Sequence, residues 1–529
     1  MNSSAVIIKK CVEEFASFES LKRKKQKEKV FKKGILWDFS DQITAGWYIA
    51  DLFDVTNLIT CGVAKRPEYV EEGIPFLSAQ NARPFKTNLN KIRYIDENTF
   101  KKITVGGKPE KGDILYTRVG NCGEAATVPY DFNFGVYVSL TLIKPNSLFL
   151  YSDYLTAFLN SRFGIMQASQ GAIGIGLKNL NVDNVRRYKI PLPPISEQKR
   201  IVEKLDSLLA QVDTIQQRLN NLPNIIKRFR QSVLAAAVSG KLTEQWRVVH
   251  KFDIKLSELK LVKELLITKK EIKNDLVFET TEGTFAIPES WEFIKLQSLA
   301  NKVTDGEHKT PKREESGRFL LSARNVRDGY IDTSNVDFVG DDEYAKLRKR
   351  CNPNKGDILI SCSGSVGRIS LVDKDDEYVM VRSAALVKTL PEYVSNKFLM
   401  YVLQSPHIQK QIVDASKSTA QANLFLGPIK NLFIPYLPIE EQTEIVRLVE
   451  QYFALADTLE KNLANAKQRV DNLTQSILAK AFKGELVPQD PNDEPADKLL
   501  ERIKAARLEA EKLEKAAKKA AKASKAKKN

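Results

Sequence analysis

The sequence is poor in the residues that most often carry catalysis or bind metals. Three histidines, His250, His308 and His407, are spread through 529 residues, so a histidine-centred metal or acid–base site is not expected. The five cysteines, Cys11, Cys61, Cys122, Cys351 and Cys362, are scattered and show no CxxC spacing. Neither a zinc knuckle nor a disulfide framework is supported, which leaves ordinary reduced thiols. No GxxxxGK[ST] phosphate loop is present, and Gly364–Arg368 (GSVGR) lacks the lysine. The one Pro-Pro pair, Pro193-Pro194, follows Leu192 rather than the Asn or Asp of an N6-adenine methyltransferase motif. No run of about 18 apolar residues occurs, so no membrane span is expected. The start, MNSSAVIIKKCVEEF, has too short an apolar patch for a secretory signal, and a cytoplasmic protein is expected.

Charge is plentiful but unevenly placed. Of the net +16, residues 1–36 contribute ten Lys and Arg against four Glu, and residues 498–529 contribute twelve against four. The body between these basic tails is close to neutral, so bulk basicity does not establish a DNA-binding body; lysine-rich tails are as readily solvated segments as nucleic-acid arms.

An internal duplication organises everything else. Trp47 matches Trp291, Ser78–Arg83 matches Ser322–Arg327, and KGDIL recurs at Lys111–Leu115 and Lys355–Leu359. Gly120 and Gly123 fall on Gly364 and Gly367, Glu197-Gln198 on Glu441-Gln442, and QSVLAAAVSGKL (231–242) on QSILAKAFKGEL (475–486), always 244 residues apart. A constant offset over so many landmarks means one architectural unit built twice.

Each copy begins with short β-branched and aromatic runs bounded by Gly, Pro and Asn, the pattern of strands, with helices over SDYLTAFLNSRFGIMQAS and SNKFLMYVLQSPHIQKQIV. The fold class read from this is mixed α/β (α+β), with sheet predominating: two globular domains in tandem at 37–195 and 285–439. A basic segment, 1–36, precedes them. Spacer helices follow at 196–245 and 440–484, joined through a charged linker, 246–284, with a short helix near Leu256–Leu266, and a basic helical tail covers 485–529.

The spacer helices carry a 4-3 apolar repeat. Ile201, Leu205, Leu208, Val212, Ile215, Leu219 and Leu222 recur in Ile445, Val449, Tyr452, Ala456, Leu459, Leu463 and Ala466. Sustained 3.5-residue spacing predicts a coiled-coil seam, here between the two helices in antiparallel orientation about a pseudo-twofold axis. Pro223 should kink or restart the first helix. Gly240 and Gly484 read as helix C-caps, and Glu197 and Glu441 as first-turn acids favoured by the helix dipole. The matched Asp113 and Asp357 are expected in structural roles, as are Asn81 and Asn325 in turns.

With IPLPPISEQKRIVEKLD (190–206) and IPYLPIEEQTEIVRLVE (434–450), KGDIL followed by G-x-x-G in both halves, SVLAAAVSGKLTEQWR (232–247) and GELVPQDPNDEPADKLLERI (484–503), the chain resembles the specificity subunits of type I restriction–modification systems. The resemblance implies two target-recognition domains, each reading half of a split, asymmetric sequence in double-stranded DNA. It also implies two modification (methyltransferase) subunits docked on the helices and restriction (translocase/endonuclease) subunits joining them. Cofactors are then expected on the partners, namely S-adenosylmethionine, ATP and Mg, and none on this chain, which would be non-catalytic. The apolar stretches Leu234–Leu242 and Leu478–Leu486 are the expected docking surfaces.

Base-edge chemistry selects candidate readers in each copy. They are Arg83, Arg118, Asn121, Lys178 and Asn179 in the first copy. In the second they are Arg324, Arg327, Ser363, Ser365, Lys417, Ser418, Thr419 and Gln421. Two alternatives stand beside this reading: a two-headed scaffold that binds proteins rather than DNA, and a standalone endonuclease.

Overall fold

A computed structural model of the chain describes residues 44–506 apart from 175, 177, 417–421 and 496, together with 508, 509 and 512. The basic start at 1–36 therefore lies outside the described residues. Two compact units emerge that do not follow chain order: Met1–Arg218 with Ala466–Asn529, and Leu219–Asn465.

In the first unit the strands that frame the site include β1 (Tyr48–Asp51), β2 (Thr56–Cys61), β3 (Ile114–Thr117), β4 (Ala125–Thr127), β5 (Leu140–Pro145) and β6 (Lys189–Leu192). An antiparallel sheet runs β2–β5–β3–β4, and β1 pairs with β6. Leu142 stands opposite Leu115, and Ile143 opposite Ile114 and Ile59. All of β3 is buried because the sheet is covered on both faces. Ile114 and Tyr116 enter the core under α1 (Ser152–Asn160) and α2 (Arg162–Gly171), while Leu115 enters a smaller core with Leu77, Val128 and Phe134.

A helix of 44 residues, α3 (Ile195–Val238), leaves this sheet. After it, α4 (Leu256–Thr268) opens the approach to the second sheet. The corresponding strands there are β7 (Glu292–Lys295), β8 (Ala300–Asp305), β9 (Ile358–Ser361), β10 (Ile369–Leu371), β11 (Ala384–Thr389) and β12 (Phe433–Tyr436), with β7 and β12 paired apart from the other four. The order β8–β11–β9–β10 repeats the first, with Leu386 opposite Leu359. Helices α5 (Asn396–Gln404) and α6 (Pro406–Ser416) cover it, and α7 (Ile439–Ala481), 43 residues long, leaves it. The mixed α/β class and the duplicated plan stand as expected.

Buried polar clasps start both long helices. Trp47 Nε1 donates to Glu197 at 3.1 Å, and Trp291 Nε1 to Glu441 at 2.9 Å. Gln198 accepts from the Tyr151 amide and donates to the Phe149 and Pro193 carbonyls. Gln442 does the same with Ser395, Tyr393 and Leu437. Glu197 and Glu441 are 1 and 2 % exposed and both glutamines fully buried, so the helix dipole alone is an insufficient account: these side chains tie sheet to helix. Burial pushes the Glu197 carboxyl upward.

The far ends of the long helices close the opposite copy's core. Val233, Leu234, Ala237 and Val238 of α3 are buried in the second unit, with Leu259, Ile272 and Leu276. Leu478, Ala481 and Phe482 of α7 are buried in the first, with Leu499, Ile503 and Ala506. Phe482 meets Tyr154 and Phe158 edge-on, with centroids 5.4 and 5.3 Å away. Three expectations change here. The stretch 246–284, expected as a charged linker with a short helix, does hold that helix as α4, but it is packed into the second core through Leu259, Ile272 and Leu276. Part of the tail beyond 485 is core. And the helix ends expected as docking surfaces are occupied inside the chain itself. Gly240 and Gly484 do cap the helices, with φ of +74° and +73°. They also admit close neighbours, since a Cβ would lie 2.4 Å from Pro288 at the first and 2.1 Å from Thr44 at the second.

Between these anchors α3 and α7 pair in antiparallel fashion. In the second unit Arg230 reaches Asp457 at 2.6 Å and Glu460 at 3.3 Å, and Ile226 packs with Ala456 and Leu463, flanked by Leu219 and Leu222. In the first, Gln216 donates to Asp471 at 3.4 Å. The expected seam needs correction. Ile201, Leu205, Ile445 and Val449 belong to the cores of their own sheets. Val212 is buried, Leu208 half-buried, and Tyr452 meets Phe229 of α3 edge-on with centroids 6.2 Å apart, but Ile215 and Leu459 are 41 and 45 % exposed. A strict 3.5-residue repeat drifts around a 3.6-residue helix, and a single partner helix covers one stripe only. Pro223 neither ends nor restarts α3; it removes one hydrogen bond from a helix whose flanking Leu222 and Ile226 are held by α7.

Candidate nucleic-acid interface

The differing tips grow from one loop design used twice. After β3 the chain turns through Thr117–Glu124, and after β9 through Ser361–Arg368. Thr117 Oγ1 donates to the Asn121 carbonyl at 2.5 Å and accepts from the Glu124 amide at 2.9 Å. Ser361 Oγ donates to the Ser365 carbonyl at 2.6 Å and accepts from the Arg368 amide at 2.9 Å. The main chains of Thr117 and Ser361 bond Glu124 and Arg368 in the reverse sense, both at 2.9 Å. Gly120 and Gly364 sit at φ of +80° and +69°, with open space where a Cβ would be, so glycine supplies a left-handed turn at a solvent-facing tip.

Two neighbours complete the frame in each unit. Ser139 and Ser383 accept from the Ala79 and Ala323 amides, both at 3.0 Å. Asn81 and Asn325 are buried in matched turns, bonding Ser78 and Ser322, which is the structural role expected of them. Beneath the loops, Lys144 reaches Asp113 at 2.6 Å and Lys388 contacts Asp357. Both aspartates are structural, and burial raises the Asp113 carboxyl to about 6 against the pull of Lys144.

On this shared frame the side chains diverge. In the second unit Arg324, Arg327, Ser363, Gly364, Ser365 and Arg368 line a concavity of about 470 Å³. Four of these were candidates from sequence. Arg368 was missed, although the 244-residue offset sets it against Glu124. Arg324 pairs with Asp337 at 2.8 Å and Arg327 with Asp332 at 3.3 Å. Lys417, Ser418, Thr419 and Gln421 lie outside the described residues.

In the first unit the counterparts of those six residues are Gln80, Arg83, Val119, Gly120, Asn121 and Glu124. Arg83 lies 3.5 Å from Glu124 and donates to the Ala79 and Ala82 carbonyls. Asn121 and Lys178 are exposed at the tip. Arg118 is placed otherwise than a base reader requires. Its guanidinium donates to Leu180 O at 2.9 Å, Val138 O at 3.3 Å and Asn179 Oδ1 at 3.2 Å, so it fastens the neighbouring loop and engages Asn179 as well.

Comparison with known proteins bears on this geometry. The type I restriction modification DNA specificity domain family matches residues 46–224 and 288–467, one match per copy. The chain is similar to the type I restriction enzyme EcoKI specificity subunit of Escherichia coli K12, 31 % identical over 88 % of this chain and 96 % of that protein. It is 38 % identical to the Escherichia coli EcoBI specificity subunit over 63 % of this chain and 67 % of the other. A solved chain described in work on complex assembly and conformational transition of the type I R-M system aligns with TM-score 0.51 and 17 % identity, covering 84 % of this chain and 99 % of that one.

Proposed function

The chain belongs to the type I restriction–modification DNA specificity family, and from that premise we propose that each unit presents its loop tip to one half of a split, asymmetric DNA target. The carrying observation is the pairing of identical loop clamps with unlike side chains: equal scaffolds position equally, and unequal tips read unequal half-sites. The proposed contacts are Arg83, Asn121 and Lys178 in the first unit and Arg324, Arg327, Ser363 and Ser365 in the second, together with Lys417, Ser418, Thr419 and Gln421, which are kept on side-chain chemistry alone. Arg118 and Asn179 act one step back, holding the first tip in shape.

Modification subunits dock on the long helices. With the helix ends consumed in the chain's own cores, the fitting surface is the apolar pair Leu455 and Leu459, exposed at four-residue spacing on α7. The chain itself contributes recognition and assembly and no catalysis; methyl transfer and restriction, with S-adenosylmethionine, ATP and Mg, belong to the partners. No helix among the described residues is long and apolar enough to cross a membrane, in keeping with work in the cytoplasm. Mapping methylated adenines in DNA from cells carrying this chain with its modification partner tests the reading. A two-part motif with a fixed gap is expected; methylation without a motif, or at one uninterrupted palindrome, would refute it.

A further inference from the structure

The position that ends the clamped loop differs between units in sign, not merely in identity. Glu124 and Arg368 hold the same place: each gives its amide to the loop hydroxyl at 2.9 Å and its carbonyl to the start of the loop at 2.9 Å. The residue before each is a glycine at positive φ, Gly123 at +104° and Gly367 at +86°. Gly367 is further fixed by Gln409, which donates to its carbonyl at 2.8 Å. The backbone is thus rigid on both sides of the variable side chain.

Arg368 faces the cup that Arg324, Arg327, Ser363 and Ser365 also line. The other two arginines already have carboxylate partners in Asp337 and Asp332; Arg368 forms no ion pair among the described residues. In the first unit the same place holds a carboxylate, 3.5 Å from Arg83.

A backbone phosphate is the same group at every half-site, so a phosphate clamp should be alike in both units. A position whose charge inverts on an otherwise identical frame is suited to what differs between half-sites, the base edge. Guanine offers two acceptors, O6 and N7, to the forked donors of arginine, whereas a carboxylate repels that edge and accepts instead from the cytosine amine. Resting on the DNA-reading function proposed above, we infer that Arg368 reads a guanine in the half-site of the second unit and that Glu124 excludes guanine from the corresponding position in the half-site of the first.

The test is duplex-library binding selection with the complex of the full chain and its modification partner. It compares wild type, Arg368→Ala, Arg368→Glu and Glu124→Arg, each at two salt concentrations. The wild-type motif should hold a guanine that Arg368→Ala releases, with a preference of about 5- to 150-fold lost at that one position. The remaining positions of that half-site act as the check that the unit is folded. Glu124→Arg should alter one position of the other half-site and leave the first untouched. An unchanged motif in Arg368→Ala overturns the inference while leaving the split-target reading intact. So does a uniform loss of affinity with a shallower salt dependence and unaltered base preference, the mark of a phosphate contact. A wild-type complex that selects no motif sinks both.

Discussion

The first and second units share a sheet, a helix anchor and a loop clamp, yet they distribute charge differently. In the second unit Glu441 gathers Trp291, Thr243 Oγ1 at 2.7 Å and Arg247 at 2.6 Å. In the first unit its twin Glu197 receives Trp47, and the nearby arginine, Arg200, goes instead to Asp493 at 2.6 Å. The closing segments differ as well: Leu499, Ile503 and Ala506 enter the first core, whereas α4 brings Lys263 along with Leu259 into the second. Duplication has thus kept the backbone solution and let the polar interior drift, so matched residues need not carry matched energies.

The widest gap between the units is expected at the clasps. Glu441→Ala takes the carboxylate from a partly buried guanidinium, a buried indole N–H and a buried hydroxyl, and should cost about 3–5 kcal/mol. Glu197→Ala leaves one half-buried indole donor and should cost about 1–3 kcal/mol. Urea unfolding of the two full-length variants checks this, and equal losses would mean the clasps are energetically equivalent after all.

A gap of about 3 kcal/mol is expected at Lys263, which donates to the Gln297 and Ala300 carbonyls at 3.0 and 2.6 Å. Burial pulls its ammonium from 10.5 down to about 8. Between those values the unfolded chain holds a proton that the folded one releases, so the lysine's contribution to stability rises as pH increases from about 8 to 10.5. Melting of wild type minus Lys263→Met over that range should show the rise, and a flat difference would count against it.

At the loops, Arg118→Ala removes two bonds to the Asn179–Leu180 segment and one to the Val138 carbonyl. It should open that segment by about 1–3 kcal/mol, seen as faster amide exchange at Leu180. The matched Cys362→Ala in the second unit should leave the Leu424 amide within about 1 kcal/mol of wild type, because the thiol's contact is to Ile360 O and not to the facing loop. The smallest effects belong to the helix pair. Arg230→Ala and Gln216→Ala break partly exposed contacts, one in each unit, and each should shift stability by less than about 1 kcal/mol. A larger loss at either would make the pairing of α3 and α7 a polar rather than an apolar contact.

Much of this was legible before any coordinates. A constant offset of 244 identified the duplication, and β-branched runs bounded by glycine and proline marked strands such as DILYT and DILIS. Heptad spacing marked the long helices, and glycines at 240 and 484 marked their ends. Four of the residues that meet in the second cup were reached from side-chain chemistry, two of them on a tip that differs between copies. Misplaced readings concern partners rather than elements. Ile215 and Leu459 satisfy a seam pattern but are exposed, and Leu234 and Leu478 look like docking surface but fill the chain's own cores. Arg118 looks like a base reader but fastens a neighbouring loop.

Sequence alone determined what each segment becomes, because turn chemistry and apolar period act over a few residues and survive in the linear order. Only the tertiary structure decided what each face meets. The first core is completed by α7 and residues 499–506, the second by α3 and α4, and such long-range partners are invisible in a local pattern. The same holds for Arg368 and Glu124. Their charges stand in the sequence, but their common place on a rigid frame depends on hydrogen bonds that only the folded loop makes.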